Sequence, residues 1–223
     1  MCEGDSDARF YDATLQAARR RAGTSEHGLL FTHCGGKQRA PVVVEALRGL
    51  DVPVRVICDI DVLREEQPLR RIVEALDGDW EAVKSDWNTI RTEVSSRSVS
   101  RRRIVDVRRE VSAFLDSVED EYLTKAAEKR VQKLAHADDA WSIVKETGDA
   151  GIPNGHATVA WHRLNIGLRA LGLFIVPVGA LEGWDGSIGN HGPKWVVEAL
   201  ETGLHERGGD HADFIFAVEA SIA

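Results

Sequence analysis

The pattern of the chain predicts an α/β fold: a parallel sheet flanked by helices, interrupted by a helical insertion. Three observations carry this. Short apolar runs at Leu29–Thr32, Val54–Cys58 and Leu173–Val178 alternate with helical stretches, the rhythm of a parallel sheet with right-handed crossovers. Between about Trp80 and Lys145 strand signals stop, and charged, helix-forming residues take over. With 43% hydrophobic residues in 223, the chain can bury a core of this kind.

In order, Glu3-Gly4-Asp5-Ser6-Asp7 leads into a helix with Ser6 or Asp7 as N-cap, Phe10, Leu15 and Ala18 facing a core, and an end near Gly23. The strand Leu29–Thr32 passes through the turn Cys34-Gly35-Gly36-Lys37 into a helix over Val42–Leu50. Val54–Cys58 is the next strand and ends in Asp59-Ile60-Asp61. In the insertion Val94, Ile104, Val111, Leu115, Tyr122 and Val131 supply the apolar positions. A helix over Thr158–Leu171 precedes the strand Leu173–Val178, which runs into Gly179-Ala180-Leu181-Glu182 and the loop Gly186–Gly192. Pro193 suits the first turn of the following helix, and Phe214–Val218 fits a last strand or helix. The expected division is a core in two parts, 1–79 and 151–223, around an insertion at 80–150.

No stretch approaches the roughly twenty apolar residues of a membrane span, and no charged-then-apolar leader precedes Glu3. Cys2, Cys34 and Cys58 lie in or beside strands rather than in a spaced framework, so they are expected to be reduced and the protein cytoplasmic. A formal net charge of -8 argues against a generally basic nucleic-acid-binding coat. The basic residues are unevenly placed, however: Arg97, Arg101, Arg102, Arg103, Arg108 and Arg109 fall in one run. It is either a solvated helix face partnered by Asp106 and Glu110 or a phosphate-binding strip.

Strand side chains alternate faces, so Asp59 and Asp61 point the same way while Ile60 turns into the core. Such carboxylates at a strand end suit Mg²⁺ or Mn²⁺, which keep several waters and often bind substrate phosphates too. In open parallel sheets ligands bind beyond the strand C-termini, which is where Glu3 is expected as well. Gly4 gives the backbone room at a strand-to-helix turn, and Asp7 follows one helical turn later, able to point back at the same ion. Lys37 follows two glycines, but Phe31 and Gln38 break the spacing of a phosphate-binding loop, so no ATP site of that type is expected. No Cys or His spacing suits structural zinc. His191, in the glycine-rich loop, either contacts phosphate or orders its loop.

The pairing of Glu-Gly-x-Ser-Asp with a strand ending in Asp-x-Asp resembles the TOPRIM domain, and most closely the nuclease half of the overcoming-lysogenization-defect (OLD) group of ATP-dependent endonucleases. The Gly-Gly-Lys turn, Leu181-Glu182 and His191-Gly192-Pro193-Lys194-Trp195 extend the likeness. The resemblance implies a DNA endonuclease using one or two Mg²⁺ or Mn²⁺ ions. Glu3, Asp7, Asp59 and Asp61 would hold the first ion, Glu3 also serving as the catalytic acid or base, and Glu182 would help with a second. A lysine would offset phosphoryl charge, Lys194 first and Lys145 or Lys37 as runners-up. Phosphate or DNA contacts are expected from Lys37, Lys145, His191, Arg101, Arg102 and Arg103. Family members carry an ATPase before this domain, so DNA and an ATPase domain or subunit are the expected partners, with a homo-oligomer as a further option. Only Met1 and Cys2 precede Glu3, so most of the first strand is expected to be missing. Two other readings stay open: a non-catalytic module that docks on an ATPase, and a haloacid-dehalogenase-like phosphatase with Asp59 as nucleophile, for which Val62 is suitably placed.

Overall fold

In a computed structural model, which describes residues 1–24, 29–97, 103–118, 120, 122–135 and 139–222, helices dominate. The elements are α1 (Asp5–Ala22), α2 (Ala40–Arg48), β1 (Val56–Cys58), α3 (Glu66–Ala75), α4 (Trp80–Ser96), α5 (Ile104–Asp116), α6 (Lys125–Ala135), α7 (Ala140–Thr147), α8 (His156–Leu171), β2 (Leu173–Ile175), α9 (Pro193–Glu201) and α10 (Asp210–Ala220). β1 and β2 pair in parallel, with Val56 opposite Leu173 and Cys58 opposite Ile175.

Backbone hydrogen bonds extend this small sheet on the far side of β1. The nitrogen of Met1 donates to the Arg55 carbonyl, and the Ile57 N–H donates to the Met1 carbonyl at 2.8 Å. Cys2 in turn bridges in parallel to His33. The central position therefore falls to three residues, Met1 to Glu3, rather than being left open. The run Leu29–Thr32 forms no regular strand, and its pairing residue is His33, one position later than expected.

Side-chain alternation sends the two faces of the sheet into two cores. Val56, Cys58, Leu173 and Ile175 join residues of α2, α3, α4, α7 and α8. Ile57, Phe174 and Val176 join residues of α1, α9 and α10. Helices thus cover both faces, as a parallel sheet requires. Trp87 anchors the first core: it is fully buried, and its indole N–H donates to the Leu63 carbonyl at 2.8 Å. In the second core Trp195 meets Phe10 edge-on, with ring centroids 5.1 Å apart.

Local signals explain the helix ends. α1 is capped by Gly4 rather than by Ser6 or Asp7; Asp7 instead accepts the Gly4 N–H at 2.7 Å. It ends at Gly23, whose φ of 65° is a left-handed stop that side chains resist. Pro193 opens α9, and the tail around Phe214 is helical. Among the described residues of the stretch 80–150 there are four α-helices, of two kinds. α4 and α7 place Trp80, Trp87, Trp141 and Val144 in the same core as β1 and β2, whereas α5 buries no residue and packs with α6. Among the described residues no helix is long and apolar enough to cross a membrane.

Candidate functional site

The site lies beyond the C-terminal ends of the strands. Glu3 ends the short central segment, and its carbonyl accepts the N–H groups of Gly35 and Gly36 at 3.1 and 2.9 Å. Both glycines have positive φ, 77° and 110°, so the Gly-Gly turn wraps around Glu3 in a conformation open to glycine. The turn delivers Lys37, whose ammonium lies 3.2 Å from the Asp61 carboxylate. The Glu3 carboxylate accepts the Asp59 N–H at 3.1 Å, continuing as a side-chain bond the ladder that the backbone leaves off.

Asp59 and Asp61 flank Ile60, which is fully buried. Lys145, from α7, enters between them, its Nζ 3.2 Å from Asp59 and 3.1 Å from Asp61. Two close backbone approaches fix α7 in place. At Gly179 a Cβ would collide with the Lys145 carbonyl, and at Gly148 one would collide with the Pro177 carbonyl. The Ile60 N–H donates to the Gly179 carbonyl at 2.8 Å, and the Asp149 N–H to Pro177 at 2.8 Å. The loop after β2 therefore ties the end of β1 to the end of α7.

Beside these residues opens a pocket of about 370 Å³, whose lining includes Ser6, Asp7, Asp59, Lys145, Glu182 and His191. Glu182 follows β2 and accepts the Gly192 N–H at 2.8 Å, holding the start of α9, with His191 at 3.8 Å.

The electrostatics are those of crowded acids. Burial pushes Asp59 up to about 7, with Glu3 and Asp7 adding to the effect and Lys145 opposing it. Burial also raises Glu3, reinforced by Asp61, and raises Asp7, reinforced by Glu182 although the Gly4 N–H favours its ionised form. Burial works in the same direction at Asp61, but Lys145 and Lys37 together hold it below the usual carboxylate range. The Lys145 ammonium is likewise opposed by burial and kept charged by Asp59 and Asp61.

Of the residues expected from sequence, Glu3, Asp7, Asp59, Asp61, Glu182, Lys37, Lys145 and His191 gather here. Lys194 does not: it lines a separate groove with Val197, Glu198 and Glu201, on one face of α9. Arg103 is exposed at the start of α5, and Arg101 and Arg102 lie outside the described residues. Arg109 pairs with Asp106 at 3.0 Å, the partner expected of a solvated helix face. Ser6, which lines the pocket, was not singled out by sequence as a site residue.

Residues 1–61 match the family described as overcoming lysogenization defect protein-like, TOPRIM domain. The match contains the Glu3–Asp7 and Asp59–Asp61 motifs that carry the likeness and supports it over those residues; it ends on the second aspartate, and Lys145 and Glu182 lie beyond it. No curated protein and no solved structure matches the chain.

The family implies a divalent ion. Crowded, partly buried carboxylates are the donor chemistry of a hard cation. As they stand, though, no three His, Cys, Asp or Glu side chains among the described residues are arranged to hold one. The ammonium of Lys145 is the charge that Asp59 and Asp61 now share.

Proposed function

We propose that the chain is the TOPRIM part of a metal-dependent DNA endonuclease of the OLD type, working with an ATPase domain or subunit. One observation carries this: within and around the matched segment, carboxylates from three distant stretches, Asp7, Asp59 and Glu182, line one pocket with Lys145, while Glu3 accepts the Asp59 N–H and Asp61 shares that lysine. Glu3, Asp7, Asp59 and Asp61 would hold Mg²⁺ or Mn²⁺, and Glu182 would serve a second ion. When bound, such ions activate water and offset charge on the phosphodiester.

The protein's own groups have separate tasks. Glu3, hydrogen-bonded to the Asp59 backbone, holds the Asp-x-Asp turn against the central segment and is placed to exchange a proton at its free carboxylate oxygen. Lys145, rather than Lys194, is the cation positioned to meet the phosphoryl oxygens, because it faces the pocket. His191 and Arg103 are proposed phosphate contacts. The 80–150 stretch is proposed to divide in function: α4 and α7 support the site, and the α5–α6 pair is available for docking on DNA or an ATPase.

The pairing of Lys145 with both aspartates favours one second reading, a TOPRIM-like module that docks on an ATPase and has little catalysis of its own. Supercoiled plasmid with Mn²⁺ separates the two. Nicking or linearisation that Glu3→Ala abolishes supports the nuclease. A purified protein that leaves plasmid intact, alone and with an ATPase partner, supports the module. Cleavage that survives Glu3→Ala sinks the site assignment.

A further inference from the structure

The pairing within the site points beyond the nuclease reading, on which the following rests. We infer that Lys145 is a built-in counter-cation that occupies the Asp59–Asp61 pair in the metal-free protein and swings out of it when a divalent ion enters.

The two carboxylates are largely withdrawn from water, with side-chain exposures of 21% and 25%. Two such charges on one side of a strand end repel, and leaving them unpaired in a partly desolvated place is costly. Lys145 answers both at once, at 3.2 and 3.1 Å. An ion held by the same oxygens would add its charge close to that ammonium, and like charges at that separation repel. Lysine and metal therefore compete for one pair of ligands. Competition of this kind lowers apparent metal affinity and makes metal binding and release of the lysine two faces of one equilibrium.

What moves is the side chain, not the helix. α7 is held at its C-terminal end by the approaches at Gly148 and Gly179 and by the Asp149–Pro177 hydrogen bond. The lysine stem has room: its side chain is 43% exposed, and it lines the open pocket beside Ser6 and His191. Swinging outward carries the ammonium toward the space a phosphodiester would occupy. One lysine would then hold the site together before the metal arrives and offset phosphoryl charge afterwards. Lys37 is not equivalent. It reaches Asp61 but not Asp59, and it also donates to the Asp61 carbonyl, which anchors it to the backbone.

The test compares Mn²⁺ affinity by calorimetry in the full chain and in Lys145→Met, with metal-free and metal-loaded thermal unfolding alongside. Lys145→Met is expected to bind Mn²⁺ at least tenfold more tightly. It should also lose thermal stability without metal and regain it with metal, a sign reversal that a merely structural lysine would not produce. Lys145→Arg, which keeps the charge, should bind no more tightly than wild type. A second measurement needs no variant: amine-reactive labelling of Lys145 in the wild-type protein, followed by mass spectrometry, should rise when Mn²⁺ is added while labelling of Lys194 stays level. Wild type that binds metal with Lys145→Met binding equally or more weakly, or Lys145 labelling that falls with metal, overturns the inference and leaves the nuclease reading intact. Absence of metal binding in both proteins overturns the two together.

Discussion

Within the stretch 80–150, α4 and α7 differ from α5 and α6 in what they bury. α4 buries Trp80, Trp87, Ile90 and Val94, and α7 buries Ala140, Trp141 and Val144. α5 buries nothing, and Ile104, Val105, Leu115, Tyr122 and Leu123 stand exposed along the α5–α6 region. Both pairs carry charged residues at helical spacing. The lesson is that a run of charged helices between two strand patterns is not one unit: tryptophan separates the helices that build the core from those that do not, and α5 and α6 contain none.

The comparison breaks most visibly in stability. Trp87→Ala should cost about 3–5 kcal/mol, because it removes a fully buried ring and leaves the Leu63 carbonyl without its donor. Leu115→Ala should cost no more than about 0.5 kcal/mol, as surface changes do. Chemical denaturation of the two variants decides it, and similar losses would mean that α5 is seated in a core after all.

A second contrast sets α7 against α9. Lys145→Met should lower the rate of plasmid cleavage by roughly a hundredfold, since its cation faces the pocket, whereas Lys194→Ala on the outer face of α9 should leave cleavage unchanged. The reverse result would return the phosphoryl role to Lys194.

A third contrast is in pH. Asp59, raised to about 7 by burial, is protonated in the folded protein over a range where it is ionised in the unfolded chain. Its contribution to stability is therefore complete below about pH 4 and is lost as pH rises through about 7. Glu3 and Asp7 act in the same direction, and Asp61, which is lowered, acts in the opposite one. Metal-free melting curves of Asp59→Asn should consequently fall less between pH 4 and 7 than those of wild type. Parallel curves would show that Asp59 titrates as an ordinary carboxylate.

Much of this was legible in the sequence where the signal was local. The unbroken apolar runs Val56–Cys58 and Leu173–Ile175 anticipate a sheet covered on both faces, Gly23 and Pro193 mark helix ends, and the acidic pairs announce themselves at strand ends. Non-local features were harder to read. Nearness to Glu182 in the chain recommends Lys194, but the helical turn carries its side chain to another groove. Lys145 sits in a helix whose link to the site depends on Gly148 and Gly179, and the clearance a glycine provides is visible only once the opposing backbone is in place. The pairing of His33, rather than of Leu29–Thr32, depends on where three residues at the chain start fall in register.

The tie between the loop after β2 and the ends of β1 and α7 also sets an order of events during synthesis. Glu3, Lys37 and the Asp-x-Asp turn leave the ribosome before α7, and Lys145, which Asp61 shares with Asp59, lies 84 residues beyond Asp61. The glycine that seats that lysine's helix comes later still. Closing contacts across such separations is slow, because the chain loses loop entropy before the contacts reward it. For that interval the acids have only Lys37, which pairs with Asp61, while Asp59 waits for its cation, a state in which free Mg²⁺ or a basic chaperone surface meets less internal competition.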